Sequence, residues 1–206
     1  MIELLKNPTN FILLDLISNC TSEISLCCPF IKKDVISQIL KKKKPVTKLT
    51  VITTSNLASF VRQASDIEAI ELLLKNGIKV YNHQHLHAKI YSFDNQKAIV
   101  TSANLTYNGL NKNYEYGILI NDLNVVSDID DDLNCLIEDE LSGSFDYDSV
   151  DFIKKQMNFY NDKEFKIVVD TSGDELLESK HKIVNLDLQS WQKDVYDVIE
   201  SKMNNE

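Results

Sequence analysis

Apolar positions recur at helical spacing over Asn10–Asn19, where Phe11, Leu14 and Ile17 lie near one face and Thr9 or Asn10 can cap the start. The run from Glu23 to Cys28 predicts a short buried strand. Lys33–Lys43 follows as a helix, with Val35, Ile36, Ile39 and Leu40 at helical spacing and Pro45 closing it. Leu49–Thr53 is rich in β-branched residues and reads as a strand. Asp66–Asn76 is a helix that turns Ile67, Ile70 and Leu74 inward and stops at Gly77. Ile78–Tyr81 is again a strand.

The pattern then changes. Ala88–Phe93 and Ala98–Thr101 read as two strands joined through Asp94, Asn95 and Gln96, residues that suit a tight turn. Tyr114–Ile120 is a further strand. Strands alternating with helices and then a hairpin predict an α/β fold, a mixed sheet sandwiched by helices. Helices are expected over about 123–140 and 149–160, a strand near Phe165–Val169, a polar loop over Thr171–Lys182 and an amphipathic helix over Trp191–Met203. The expected division is a catalytic domain over 1–160 and an acidic extension over 161–206.

With 43% hydrophobic and 26% charged residues, the chain has the composition of a packed domain. No stretch reaches the roughly 20 apolar residues that span a bilayer, and the N-terminus lacks a basic start and a small-residue cleavage site. A cytoplasmic location and no membrane partner are therefore expected. Cys20, Cys27, Cys28 and Cys135 form no C-x-x-C pair, and Cys27 and Cys28 read as small core residues. The net charge of −9 is unevenly spread. Residues 1–121 hold 14 Lys and Arg against 9 Asp and Glu, whereas residues 122–206 hold 8 against 22. That split suggests two electrostatic tasks, or a front whose field the back screens. Lys41–Lys44 fits a helix C-terminus or a phosphate contact. Asp128–Asp132 lacks the ligand spacing of a calcium loop and reads as a solvated helix start.

The chemically informative stretch is His87-Ala88-Lys89 followed after four residues by Asp94, then Thr101-Ser102-Ala103-Asn104, then Asn113-Tyr114-Glu115. On a strand, His87 and Lys89 point to the same face. Imidazole and ammonium then converge on one phosphoryl group, with Ser102 and Asn104 adding donors for its oxygens. A ring nitrogen of His87 can attack phosphorus and split one displacement into two easier steps. These residues resemble the phospholipase D superfamily, whose members carry H-x-K-x4-D and then G-S-x-N. Thr101 stands where the family has Gly; the other defined positions match. The resemblance is strongest over about residues 83–121.

The resemblance implies a metal-independent phosphodiesterase with no cofactor. It assigns Glu115 to hold the second ring nitrogen of His87 and leaves Asp94 as a brace at the far turn. The chemistry uses two such histidines and this chain has one motif, so a two-fold homodimer is expected to complete the site. The preferred function is a nuclease, on DNA rather than RNA, in a restriction or phage-defence setting. Candidate substrate contacts are Lys112, Tyr107 and Thr101, with Tyr107 and Tyr114 able to stack on a base. The alternatives are a lipid phosphodiesterase or phosphatidyltransferase and a non-catalytic nucleic-acid-binding module. His83, His85 and His87 also form H-x-H-x-H, which on one strand face would suit a transition metal.

Overall fold

The computed structural model describes residues 2–162. Their order is β1 (Ile2–Lys6), α1 (Asn10–Asn19), β2 (Glu23–Cys27), α2 (Lys33–Lys42), β3 (Lys48–Thr53), α3 (Leu57–Val61), α4 (Ile67–Lys75), β4 (Lys79–His83) and β5 (Ile90–Phe93). Next come β6 (Lys97–Thr101), α5 (Tyr107–Asn111), β7 (Tyr116–Ile120), α6 (Leu123–Glu138), β8 (Ser142–Ser144) and α7 (Tyr147–Asp162). The acidic extension beyond Asp162, with its expected strand, loop and helix, lies outside the described residues.

The strands form one mixed sheet in the order β1-β7-β6-β5-β2-β3-β4-β8. β2, β3 and β4 are parallel, as their helical crossovers require, and every other pairing is antiparallel. Alternation along each strand splits the core in two. Ile24, Leu26, Leu49, Val51, Tyr91, Phe93 and Ile99 face the buried sides of α1, α2 and α4 in the larger core, which α7 completes through Val150 and Ile153. Cys27, Ile52, Ile90, Ala98 and Ile120 face the other way, under Val126, Ile129 and Leu133 of α6. The α/β sandwich expected from periodicity is present, with one face covered among the described residues by α6 alone.

The reversal of direction between β2 and β5 places the site. The C-terminal ends of β1, β2, β3, β4 and β6 share one sheet edge with the N-terminal ends of β5 and β7. A change of strand order at the carboxyl ends of parallel strands opens a crevice where α/β folds bind ligands. The opposite edge carries the β5–β6 turn. Asp94 and Asn95 both take φ +54 there, and the Gln96 N–H donates to Phe93 O at 3.0 Å, the geometry of a type I′ turn.

Several expectations need correction. The strand expected from Ala88 starts at Ile90, and the one expected from Tyr114 starts at Tyr116. The acidic run Asp128–Asp132 is not a helix start. Asp122 caps α6, its carboxylate accepting from the amides of Asn124 and Val125, so the run falls mid-helix. There Asp130 is half-buried near Ser92, and burial pushes its carboxyl above the usual range. β1, α3, α5 and β8 are elements that periodicity did not reveal. β8 is Ser-Gly-Ser and exists by its pairing to β4.

Candidate active site

His87 and Lys89 lie in the extended segment that enters β5, and Lys89 O accepts from Thr101 N at 3.1 Å, prolonging the β5–β6 pairing by one step. His87 is exposed, whereas Lys89 is 7% exposed. The Lys89 ammonium donates to His87 O at 2.7 Å and sits 3.4 Å from His87 Nε2. An ammonium can only donate, so Lys89 is placed to supply positive charge beside the imidazole. The two side chains lie side by side, and the strand proper starts at Ile90.

The turn after β6 is tied down from below. The Tyr91 hydroxyl donates to Ala103 O at 2.8 Å, Lys32 N to Leu105 O at 2.9 Å, and Leu105 N to Cys28 Sγ at 3.3 Å. Cys28 Sγ lies 3.4 Å from Asn104 Oδ1 and can donate to it. Burial pushes both the Cys28 thiol and the Tyr91 hydroxyl upward, so both stay protonated donors. The single thiol proton is shared between Asn104 Oδ1 and Phe30 O, which lies 3.3 Å from Sγ; the Asn104 NH₂ can meet another acceptor. Cys28 read as core in the sequence, and no local signal there gives its contact with Asn104.

Ser102 and Glu115 meet across the start of β7. Ser102 Oγ donates to Glu115 Oε2 and accepts from Tyr116 N at 3.1 Å, and Ser102 N donates to Tyr116 O at 2.9 Å. Asn113 Nδ2 donates to Glu115 Oε1 at 3.1 Å. Both Glu115 oxygens are thus engaged by Ser102 and Asn113, and the hydrogen bond to His87 implied by the resemblance is not among those of the described residues. Thr101, expected at the substrate, spends its hydroxyl on Tyr116 O and Ala103 N. It stands against Gly117, where an added Cβ would come within 2.9 Å of Thr101 Cβ. The larger residue where the family has Gly is matched by a glycine on the facing strand.

Asp94 is at the far edge. Its carboxylate accepts from the amides of Thr21 at 2.9 Å, Ser22 at 2.8 Å and Glu23 at 2.9 Å, and from the Thr21 hydroxyl. Partial burial alone would raise its pKa, but these donors outweigh that and hold it below the usual range. These bonds tie the β5–β6 turn to the start of β2. The three histidines do not converge. His83 Nδ1 accepts from His85 N at 3.2 Å, and its Nε2 lies 3.7 Å from Asp139 Oδ1. Among the described residues no three His, Cys, Asp or Glu side chains could together hold a metal ion, which removes the motivation for the H-x-H-x-H site. Lys112 and Tyr107 sit together on α5 and its C-cap, the ammonium 5.3 Å from the ring centroid.

The family model "Cardiolipin synthase, PLD-like domain" matches residues 13–137. The chain belongs to the phospholipase D-like family, a phosphodiester-handling family. Among solved structures, Nuc of Salmonella typhimurium, a phospholipase D family member, is similar with a TM-score of 0.60 and 16% identity, over 70% of this chain and 97% of that one. NucT of Helicobacter pylori is similar with a TM-score of 0.55 and 16% identity, over 70% and 99%. A phosphatidylserine synthase of Haemophilus influenzae Rd KW20 reaches 0.54 at 14% identity, over 79% of this chain and 46% of that one. No curated protein sequence matches. Among the described residues no helix is long and apolar enough to cross a membrane.

Proposed function

We propose that the chain is a metal-independent nuclease, acting on DNA in preference to RNA, whose two-fold homodimer joins two copies of His87 in one site. The observation that carries this reading is the pairing of an exposed His87 with the buried ammonium of Lys89, 3.4 Å from Nε2, on the edge that also presents Ser102 and Asn104. A buried cation with no carboxylate partner among the described residues suits an anionic substrate that supplies the missing charge. A single motif in a chain that spans nearly the whole of Nuc and NucT supports assembly from two copies.

In the first step the unprotonated ring nitrogen of one His87 forms a P–N bond while the P–O bond to the leaving sugar breaks. The imidazolium of the second His87 gives that alkoxide its proton. The second imidazole then takes a proton from water, whose oxygen forms a new P–O bond as the P–N bond breaks. Both histidines return to their starting forms. Lys89 and Asn104 stabilise charge on the non-bridging oxygens throughout.

The test is cleavage of labelled single- and double-stranded DNA in EDTA by the wild type and by His87→Ala. Cutting that survives EDTA and is lost in the variant is the expected result. Cutting that EDTA abolishes would sink the phosphohistidine route. If a folded wild type leaves DNA intact but hydrolyses phospholipid, the substrate assignment passes to lipid. DNA binding without turnover of either substrate would leave a non-catalytic module.

A further inference from the structure

The loop from α5 to β7 displays more aromatic surface than folding explains. Tyr114 is 88% exposed and Tyr107 50%, and Tyr116 is exposed beside Tyr114, with ring centroids 5.6 Å apart and planes inclined by 58°. Each cluster carries a lysine. Lys6 Nζ lies 5.3 Å from the Tyr116 ring centroid, and Lys112 Nζ lies 5.3 Å from that of Tyr107. Buried rings need no such cations, and rings packed for stability are not left in water.

The two clusters are held in a fixed frame. Asn7, which follows Lys6 at the end of β1, donates from Nδ2 to Gly109 O at 2.7 Å and to Asn113 O at 2.8 Å. One side chain therefore ties down Gly109 and Asn113, with Lys112 between them and Tyr107 and Tyr114 just outside on either side. The same segment runs into the site: Glu115 accepts from Ser102, and Tyr116 N donates to Ser102 Oγ. Tyr107 also walls a groove of about 620 Å³ against the start of α2, where Lys33 is exposed. Asp34 and Asp66 line that groove too, so its charge is mixed, and the ring is the feature that singles out a ligand.

We infer that Tyr114 with Tyr116, and Tyr107, are two lysine-flanked stacking stations for unpaired bases, so that the strand entering the site is single-stranded. The inference rests on the nucleic-acid reading above and specifies the form of that substrate. Stacking on tyrosine requires a base with a free face, which a duplex does not offer, and Lys6 and Lys112 match the charge of the phosphates between bases. A second copy of this chain is the rival occupant of the same rings. The cations beside both clusters favour the polyanion.

The experiment uses the full chain carrying His87→Ala, so that the probe stays intact, and measures binding of a labelled oligonucleotide of about 12 nucleotides as single strand and as duplex. Tyr107→Ala and Tyr114→Ala should each weaken single-strand binding roughly tenfold or more and leave duplex binding little changed. Tyr107→Phe and Tyr114→Phe, which keep the ring, should retain it. Sedimentation velocity of the same variants should show an unchanged oligomer. Equal affinity of Ala variants and parent, equal losses for single strand and duplex, or no oligonucleotide binding at all would overturn the stations. Dissociation of the Ala variants into monomers would assign the rings to the subunit interface instead. The catalytic reading is judged separately by wild-type cutting, so tyrosine-dependent binding without cutting would retain the stations and reject the nuclease.

Discussion

The two ends of the H-x-K-x4-D motif do opposite work. At one edge of the sheet, His87 is exposed and Lys89 is buried against it, with no carboxylate of the described residues bonded to either. At the other edge, Asp94 is encircled by three amides and a hydroxyl from Thr21–Glu23. The five residue steps from Lys89 to Asp94, most of them in β5, put about 16 Å between them. One end leaves an imidazole exposed beside a buried cation; the other spends a full charge on fixing where β2 begins. Spacing along a chain therefore signals a shared fold, and a shared reaction only for the residues that the fold brings to one edge.

The largest way to break this comparison is to truncate each end. His87→Ala should lower phosphodiester cleavage by about 10⁴-fold or more, as loss of a nucleophile does, while thermal unfolding shows a midpoint close to the wild type because the ring is exposed. Asp94→Ala should do the reverse. Loss of the carboxylate leaves Thr21, Ser22 and Glu23 amides without their acceptor, costing about 2–3 kcal/mol. Differential scanning fluorimetry should show a midpoint lower by roughly 5–10 °C, with cleavage per folded molecule within a few-fold of wild type. A large activity loss at unchanged stability in Asp94→Ala would erase the distinction.

Acid sharpens it. The native Asp94 carboxyl is held below its ordinary value, so its contribution to stability is complete above that value and fades as pH falls through the lowered native one. Below about pH 4 the wild type should lose stability more steeply than Asp94→Asn, read as unfolding midpoint against pH.

Smaller effects test how the reactive edge is built. Gly117→Ala should cost about 1–3 kcal/mol, because the new methyl meets Thr101 and Val100 O. Adding Thr101→Gly should recover part of the loss in urea unfolding, and strict additivity would show that the two residues are not matched. If the Cys28 thiol donates to Asn104 rather than to Phe30 O, Cys28→Ala should lower kcat several-fold with a smaller change in KM, and Cys28→Ser should restore most of it. Equal behaviour of the Ser and Ala variants would make Cys28 a packing residue only.

Much of the fold was legible because periodicity is local. α2 buries Val35, Ile36 and Ile39 as its spacing predicts and α4 buries Ile67 and Ile70, whereas α1 buries Leu13 with Ile17 and leaves Phe11 exposed; Asp94-Asn95 turns where turn residues stand. The short elements escaped for physical reasons. β1 exposes Ile2 and Leu4 and buries Leu5, so it has no clean alternation, and its order comes from five pairings with β7. α5 is a single short helix whose one sequence sign is the cap at Thr106, which accepts from Gly109 N.

The sequence alone determined the chemistry on offer: a histidine and a lysine two apart, Ser102 and Asn104 after a turn, and an aspartate where a brace is needed. Only the tertiary structure decided the company they keep. Asn7 reaches Gly109 and Asn113, Cys28 reaches Asn104, and Lys6 reaches Tyr116, each across more than seventy residues of chain. Side-chain type and spacing carry information over one turn or one strand, whereas these contacts depend on which strands end at the same edge of the sheet. That is a property of the strand order, set by how the whole chain buries its two apolar faces.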